Sequence, residues 1–156
     1  MRARAAAAIV AAATLAACAE RAPAPRPLTV ADRDAFAARL EAAVLARVTP
    51  VPEAGEAIGE AAQCATTIAA VRPLVVRDPR PLLLGLPGGR LLVSTGLLAS
   101  TGSDAELRSA LAHEAAHVAQ GDLVRRLENA YGAARIASIG AGGDDDVLRG
   151  MAANLA

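Results

Sequence analysis

Two histidines and a glutamate are the residues in this sequence most able to do chemistry together. His113 and His117 are its only histidines, and Glu114 lies between them in the segment His-Glu-Ala-Ala-His. Residues four apart on a helix share one face, so each imidazole can give one nitrogen to the same metal ion. The adjacent carboxylate can take a proton from metal-bound water. The spacing predicts Zn²⁺ as cofactor, His113 and His117 as metal ligands, and Glu114 as the catalytic base of peptide-bond hydrolysis.

The alternative is a helix whose two histidines lie at the surface or are satisfied in the core. A helix is predicted here independently of the histidines, because Ser103 lies three residues before Glu106 in a capping-box arrangement. Apolar residues follow on one helical face at Leu107, Leu111 and Val118. Both histidines of the chain therefore fall four apart on one predicted helix, which favours the metal site.

A third protein ligand, which catalytic zinc normally has, is not predicted. The carboxylates after His117 are Asp122, Glu128 and Asp144 to Asp146, and the position where another zincin pattern has a third histidine is Leu123. On a continuous helix Glu128 would lie ~16 Å beyond His117 and Asp144 ~40 Å beyond it, so neither reaches the ion without a chain reversal.

The elements around this helix are predicted from hydrophobic spacing and turn residues. Helical periodicity covers Asp32 to Val48 and, more weakly, Glu53 to Ala70. Short apolar runs predict strands at Leu74–Val76, Leu82–Leu86 and Arg90–Ser94, with Pro-Gly-Gly as the turn between the last two.

The remainder of the chain is predicted to be helical. Gly121 breaks or bends the helix that carries the histidines, after which a helical pattern continues to Ile139, and Asp144 to Asp146 begin a final short helix. The expected fold class is therefore α+β, mainly helical, with a small hairpin-containing sheet packed on the histidine helix.

Three blocks in order resemble the gluzincin metallopeptidase family that includes the CAAX prenyl endopeptidases, the HtpX heat-shock proteases and the BepA-type periplasmic proteases. They are Leu86–Leu98, with a Leu-Pro-Gly-Gly turn and a Gly-Leu-Leu step, Asp104–Leu107, and Leu111–Val118 with its Ala-His-Glu segment. The resemblance implies zinc held by His113 and His117, with Glu114 as general base. It also implies that strand Arg90–Ser94 is an edge on which an extended substrate pairs.

The sequence departs from that family in three places. Leu82 to Gly85 replace an Asn-Ala-Phe-Ala stretch, and Ala116 replaces a glycine. The family's third ligand is a glutamate in a later Glu-x-x-x-Asp pattern, which does not occur after His117. Three explanations stay open: a chain truncated before the third ligand, a relative that has lost turnover, or a ligand donated by another chain.

The N-terminus predicts export. Arg2 and Arg4 precede an uncharged run from Ala5 to Ala17, which is typical of a secretory signal, and Leu-Ala-Ala-Cys18 resembles the bacterial lipobox. We expect a lipoprotein signal peptide at 1–17, lipidation of Cys18, a Pro-rich tether at 18–31 and a metallopeptidase-like domain at 32–156. The alternative is an ordinary signal peptide. Cys64, the other thiol, is expected to be a small buried hydrophobe.

The amino-acid composition disfavours one class of binding partner. The 16 basic and 16 acidic residues balance, and the chain has one Tyr, one Phe and no Trp, so nucleic-acid binding is disfavoured. The predicted function is a lipid-anchored zinc metalloendopeptidase that hydrolyses envelope proteins on the periplasmic side, with a polypeptide substrate and a membrane contact through its lipid. The alternatives are an inactive relative that binds extended polypeptides and a purely structural, Ala-rich lipoprotein.

Overall fold

A three-stranded sheet lies between two helical layers in the computed structural model, which describes residues 26–55 and 58–156. The expectations for the signal peptide and Cys18 lie outside these residues. The described part is mainly helical with one small mixed sheet, which confirms the predicted α+β class. Its elements in chain order are α1 (Val30–Leu45), a 3₁₀ turn (Pro52–Ala54), α2 (Gly59–Ile68), β1 (Arg72–Val76), β2 (Leu83–Gly85), β3 (Arg90–Ser94), α3 (Thr95–Ser100), α4 (Asp104–Gln120), α5 (Asp122–Tyr131), α6 (Ala133–Gly140) and α7 (Asp145–Leu155).

The sheet has the strand order β1-β3-β2, with β1 parallel and β2 antiparallel to β3. The predicted hairpin is confirmed: the Gly89 N–H donates to the Leu86 carbonyl at 2.9 Å, and Gly89 has the positive φ of 86° that the turn requires. The expectation that Arg90–Ser94 is an edge strand is wrong, because β3 is paired on both sides. The free edge of the hairpin belongs to β2.

One face of the sheet packs against large side chains. We call this region, formed with α1, α5, α6 and α7, the large-residue layer. Alternate strand residues such as Leu92 and Val76 point into it. Its other fully or nearly fully buried members include Phe36, Leu40, Val44, Ile136, Ile139 and Met151.

The other face packs against α2, whose buried residues are all alanines, and against α4, which adds Leu107 and Leu111 beside Ala115. We call this region the alanine-rich layer, because Ala61, Ala62, Ala65 and Ala115 are buried in it beside strand residues such as Leu91. Alanine has no side chain beyond Cβ, so the helices and the sheet approach closely here. Helix α4, which carries the two histidines, belongs to this layer.

Helices α1 and α4 both begin at side-chain caps. Thr29 and Asp32 form a reciprocal capping box at the start of α1, two residues before the predicted start at Asp32. Ser103 caps α4 as predicted, accepting from the Glu106 N–H at 3.3 Å. The reciprocal bond differs from the predicted capping box, because Glu106 accepts from the Gly102 N–H rather than from that of Ser103.

Two expectations for the second helical stretch are corrected. The predicted helix from Glu53 to Ala70 is a 3₁₀ turn at Pro52–Ala54 followed by the shorter α2. Cys64 is exposed, because it lies on the outer face of α2 while its neighbours Ala61, Ala62 and Ala65 face the core.

The chain after α4 turns at glycines. Gly121 ends α4 with a φ of 66°, and Gly132, with a φ of 85°, separates α5 from α6 where the sequence pattern had suggested one continuous run. The three aspartates lie at the start of α7 as predicted. No helix in the described residues is both long and apolar enough to cross a membrane.

Candidate metal centre

The imidazoles of His113 and His117 converge. Their Nε2 atoms are 3.0 Å apart, with the ring planes at 87° and the ring centroids 4.6 Å apart. Two nitrogens that each lie ~2.1 Å from one tetrahedral ion are ~3.4 Å apart, so a shift of a few tenths of an ångström would let both contact one ion. Helix α4 supplies both residues from one face, with His113 exposed and His117 partly buried.

The Nδ1 atom of His117, on the side of the ring away from His113, hydrogen-bonds to a carboxylate. Its Nδ1 lies 2.5 Å from Oδ2 of Asp122, and Arg125 pairs with the other oxygen of Asp122. An ionised carboxylate can only accept, so Nδ1 donates to it, and in the neutral ring the Nε2 lone pair is directed towards His113. The hydrogen bond from His117, together with the charge of Arg125, holds the pKa of Asp122 below its ordinary value of 3.8. The carboxylate therefore stays ionised at neutral pH.

The carboxylate of Glu114 points towards the sheet. Its Oε1 accepts a hydrogen bond from the Gly85 N–H at 2.8 Å. Gly85 is the last residue of β2 and is buried against α4. The catalytic-base candidate is therefore held between its own helix and the free edge of the sheet.

A cleft of about 820 Å³ lies beside these residues. Glu114 and His117 form part of its wall together with the β2 edge, while α1 and α5 form the opposite side. Apolar lining residues include Leu83, Leu84, Val118, Val124 and Leu155, and charged ones include Arg33, Arg126 and Glu128. The cleft is thus open to the two site residues and wide enough for a peptide side chain.

The carboxylates considered as third ligands are engaged elsewhere. Asp122 is on the outer nitrogen of His117, and Glu128 lines the cleft but pairs with Arg33 at 3.4 Å. The three aspartates at the start of α7 each pair with an arginine: Asp144 with Arg135, Asp145 with Arg39 and Asp146 with Arg149. Within residues 26–55 and 58–156, no group of three or more His, Cys, Asp or Glu side chains is arranged to hold a metal ion.

Two contributors to the site were missed by sequence reasoning. Asp122 was weighed only as a ligand, although a glycine that ends a helix followed at once by an aspartate is a signal for a carboxylate near the last turn. Gly85 was noted only as a departure from the family's Asn-Ala-Phe-Ala stretch. Its contact with Glu114 spans 29 residues, and no local pattern reveals it.

A helix that carries His-Glu-x-x-His and packs against a small sheet is typical of metallopeptidases. Residues 83–146 match the family model of Peptidase family M48. The matched segment runs from β2 to the start of α7 and supports the family-level resemblance of the sequence to gluzincin-type metallopeptidases. No curated protein gives a significant match to the chain.

Proposed function

We propose that the chain is a zinc-dependent metalloendopeptidase that hydrolyses peptide bonds in envelope proteins. The observation that carries the proposal is the convergence of two Nε2 atoms at 3.0 Å beside a strand-held glutamate, within a segment that matches a peptidase family. The two imidazoles converge as ligands of one ion would, and Glu114 supplies a carboxylate that the Gly85 N–H holds.

The donor set fits two of the three protein ligands of a catalytic zinc site. Neutral imidazole nitrogens are common zinc ligands, and a carboxylate on the outer nitrogen of a ligating histidine orients the ring and raises its basicity. Asp122 has that position on His117. When bound, zinc polarises the scissile carbonyl and makes hydroxide available at neutral pH.

Glu114 provides proton transfer in this proposal. One carboxylate oxygen, Oε1, is fixed by the Gly85 N–H, and the other is left to accept a proton from water and to pass it to the leaving amine. The partial burial of Glu114 keeps bulk water from surrounding the carboxylate on all sides.

The free edge of β2 is the proposed binding surface for the substrate backbone. Leu82 and Leu86 hydrogen-bond to β3, so the backbone groups of Leu83 and Gly85 point away from it. The Gly85 N–H is bonded to Glu114, which leaves the N–H and carbonyl of Leu83 and the carbonyl of Gly85 for a substrate. An extended peptide can add here as a further strand. This edge replaces the β3 edge expected from the sequence.

Digestion of an unfolded protein tests the proposal. Wild-type chain should cut reduced, unfolded casein, and Glu114→Gln should lower the rate by ~10²- to 10⁴-fold, which is the usual contribution of a general base. Glu106→Gln is the matched control on the same helix, because the Glu106 carboxylate accepts from the Gly102 N–H at the start of α4, and its rate should be unchanged. Equal digestion by wild type and Glu114→Gln would reject the proposal.

A second function is favoured by one observation, the lack of a three-donor group in the described residues. In it, the chain binds extended polypeptide along the β2 edge without cutting it. Fluorescence anisotropy with a labelled casein peptide separates the two functions. Binding that is unchanged in Glu114→Gln, together with no digestion by the wild type, would favour the binding protein over the enzyme.

We further propose a lipid anchor at Cys18 and a place on the periplasmic side of a bacterial envelope membrane. The support is the basic start, the apolar run and the Leu-Ala-Ala-Cys18 segment. Expression with labelled palmitate tests the anchor. Label should enter the wild-type chain and be absent from Cys18→Ala, whereas label that persists in Cys18→Ala would contradict the proposal.

A further inference from the structure

We propose that Gly85 is a positioning residue for Glu114: its N–H fixes one oxygen of the carboxylate, and its lack of a side chain lets the carboxylate reach the strand. The inference deepens the proposed function and rests on it for the role of Glu114 in proton transfer. The contact itself, between β2 and α4, can be measured without metal or substrate.

The direction of the Gly85 N–H follows from the register of the hairpin. The Leu86 N–H donates to the Arg90 carbonyl at 2.8 Å, and the Ser94 N–H donates to the Leu82 carbonyl at 2.9 Å. Residues 82, 84 and 86 therefore point their backbone groups to β3. In antiparallel pairing the intervening residues point the opposite way, so Gly85 directs its N–H out of the sheet.

Glu114 satisfies that N–H. Its Oε1 lies 2.8 Å from the Gly85 nitrogen, a normal length for a charge-assisted hydrogen bond. A glutamate side chain has three rotatable bonds, and one bond from a rigid strand removes much of that freedom. The remaining oxygen, Oε2, is then held in a constant place relative to the imidazole of His113, its neighbour in the chain.

Position 85 requires glycine because a side chain would clash with α4, and not because its backbone torsion angles are unusual. A Cβ on Gly85 would lie 2.5 Å from Cγ2 of Val118 and 3.1 Å from Oε1 of Glu114. The first distance is too short for two carbon atoms that are not bonded to each other. A side chain at residue 85 would push α4 away from β2 or displace the carboxylate, and both movements lengthen the bond to Glu114.

Amide hydrogen exchange of the metal-free chain measures the contact directly. In Glu114→Ala, exchange of the Gly85 N–H should be faster by about 10-fold or more, the effect expected for losing a hydrogen bond to a charged acceptor. The Leu84 N–H, which points to β3, is the internal reference. Glu106→Ala, on the same helix, is the matched variant and should leave the Gly85 rate unchanged.

Steady-state kinetics then separate positioning from a general structural effect. Gly85→Ala should lower kcat by about 10-fold or more while KM changes less than about threefold, because the change displaces the carboxylate and leaves the outward backbone groups of Leu83 in place. Val118→Ala removes the methyl group that the new Cβ would meet. The double variant Gly85→Ala/Val118→Ala should therefore have a higher kcat than Gly85→Ala and should approach the kcat of Val118→Ala, the single variant that serves as its reference.

The outcomes are distinguishable. Gly85 exchange that does not change in Glu114→Ala, or a Gly85→Ala chain with wild-type kcat, would overturn the inference. A wild-type chain that cuts no peptide would reject the proposed function. In that case, faster Gly85 exchange in Glu114→Ala would still show that the strand holds the carboxylate.

Discussion

The two faces of the sheet are packed in different ways. In the large-residue layer, Phe36, Leu40 and Ile136 fill the space between the sheet and its helices with bulky side chains. In the alanine-rich layer, α2 contributes three buried alanines and α4 contributes Ala115 beside two leucines. The large-residue layer buries more apolar volume per residue, and the alanine-rich layer brings backbones closer together. The bulky side chains of the core and the residues of the candidate site therefore lie mainly on different faces of one small sheet.

The candidate site requires α4 to lie close to β2. The Gly85 N–H reaches the Glu114 carboxylate because α4 lies directly against the β2 edge, with no large side chain between them. The two layers meet at Asp122, since α5 packs its Val124 into the large-residue layer while Asp122 at its start holds the ring of His117. Four substitutions test this division of roles.

Phe36→Ala should have the largest effect on stability. The Phe36 side chain is fully buried in the large-residue layer, and its loss should lower the free energy of unfolding by about 3–5 kcal/mol through lost burial and a cavity. Urea unfolding of the metal-free chain measures the change. Ile68→Ala, at an exposed apolar position, is the control and should stay within about 0.5 kcal/mol. Equal losses in the two variants would remove the distinction between the layer and the surface.

Ala115→Leu should show the sensitivity of the alanine-rich layer to added volume. Ala115 is fully buried between α4 and its neighbours, so the larger side chain should lower the free energy of unfolding by about 1–3 kcal/mol and move α4. Ala119→Leu places the same change on an exposed position of the same helix and should be nearly neutral. A stabilised Ala115→Leu chain would show that the layer has room, contrary to this description.

Asp122→Asn tests the connection between the layers. The amide keeps the size of the carboxylate but loses its charge, so zinc affinity should fall by about 10- to 100-fold, as for other partners of metal-bound histidines. Isothermal titration with Zn²⁺ measures the affinity. Asp146→Asn, whose side chain is almost fully exposed, is the control. Unchanged affinity in Asp122→Asn would mean that the contact with His117 does not support a metal.

Asp32→Asn should have the smallest effect and a pH dependence with a defined sign. The Arg26 side chain and the Thr29 cap hold the pKa of Asp32 below its ordinary value of 3.8. A lowered folded-state pKa means that the carboxylate stabilises the fold above the unfolded value and loses this contribution as pH falls through the folded one. The stability gap between wild type and Asp32→Asn should therefore be constant near neutral pH and shrink below about pH 3.8. A gap that widens in acid would contradict this sign.

Local signals in the sequence predicted much of the structure. The Ser103 cap placed the start of α4, the Pro-Gly-Gly turn placed the hairpin, and β3 has the predicted bounds at Arg90–Ser94. Each of these depends on residues close together in the chain. The convergence of the two imidazoles follows from the four-residue spacing on that helix.

Contacts between distant segments could not be predicted. The parallel pairing of β1 with β3 made β3 central and moved the free edge to β2, and no periodicity encodes which strands become neighbours. The Gly85–Glu114 bond has the same origin. Cys64 was expected inside because thiols are often buried, but the rotation of α2 is fixed by its alanines.

The zinc content of the purified chain tests the central claim most directly. After removal of metal by a chelator, incubation with Zn²⁺ and extensive dialysis, elemental analysis should give about one zinc per wild-type chain. His113→Ala and His117→Ala should each retain less than about a tenth of that amount, because each leaves a single imidazole of the pair. Equal and negligible zinc in all three proteins would contradict the account.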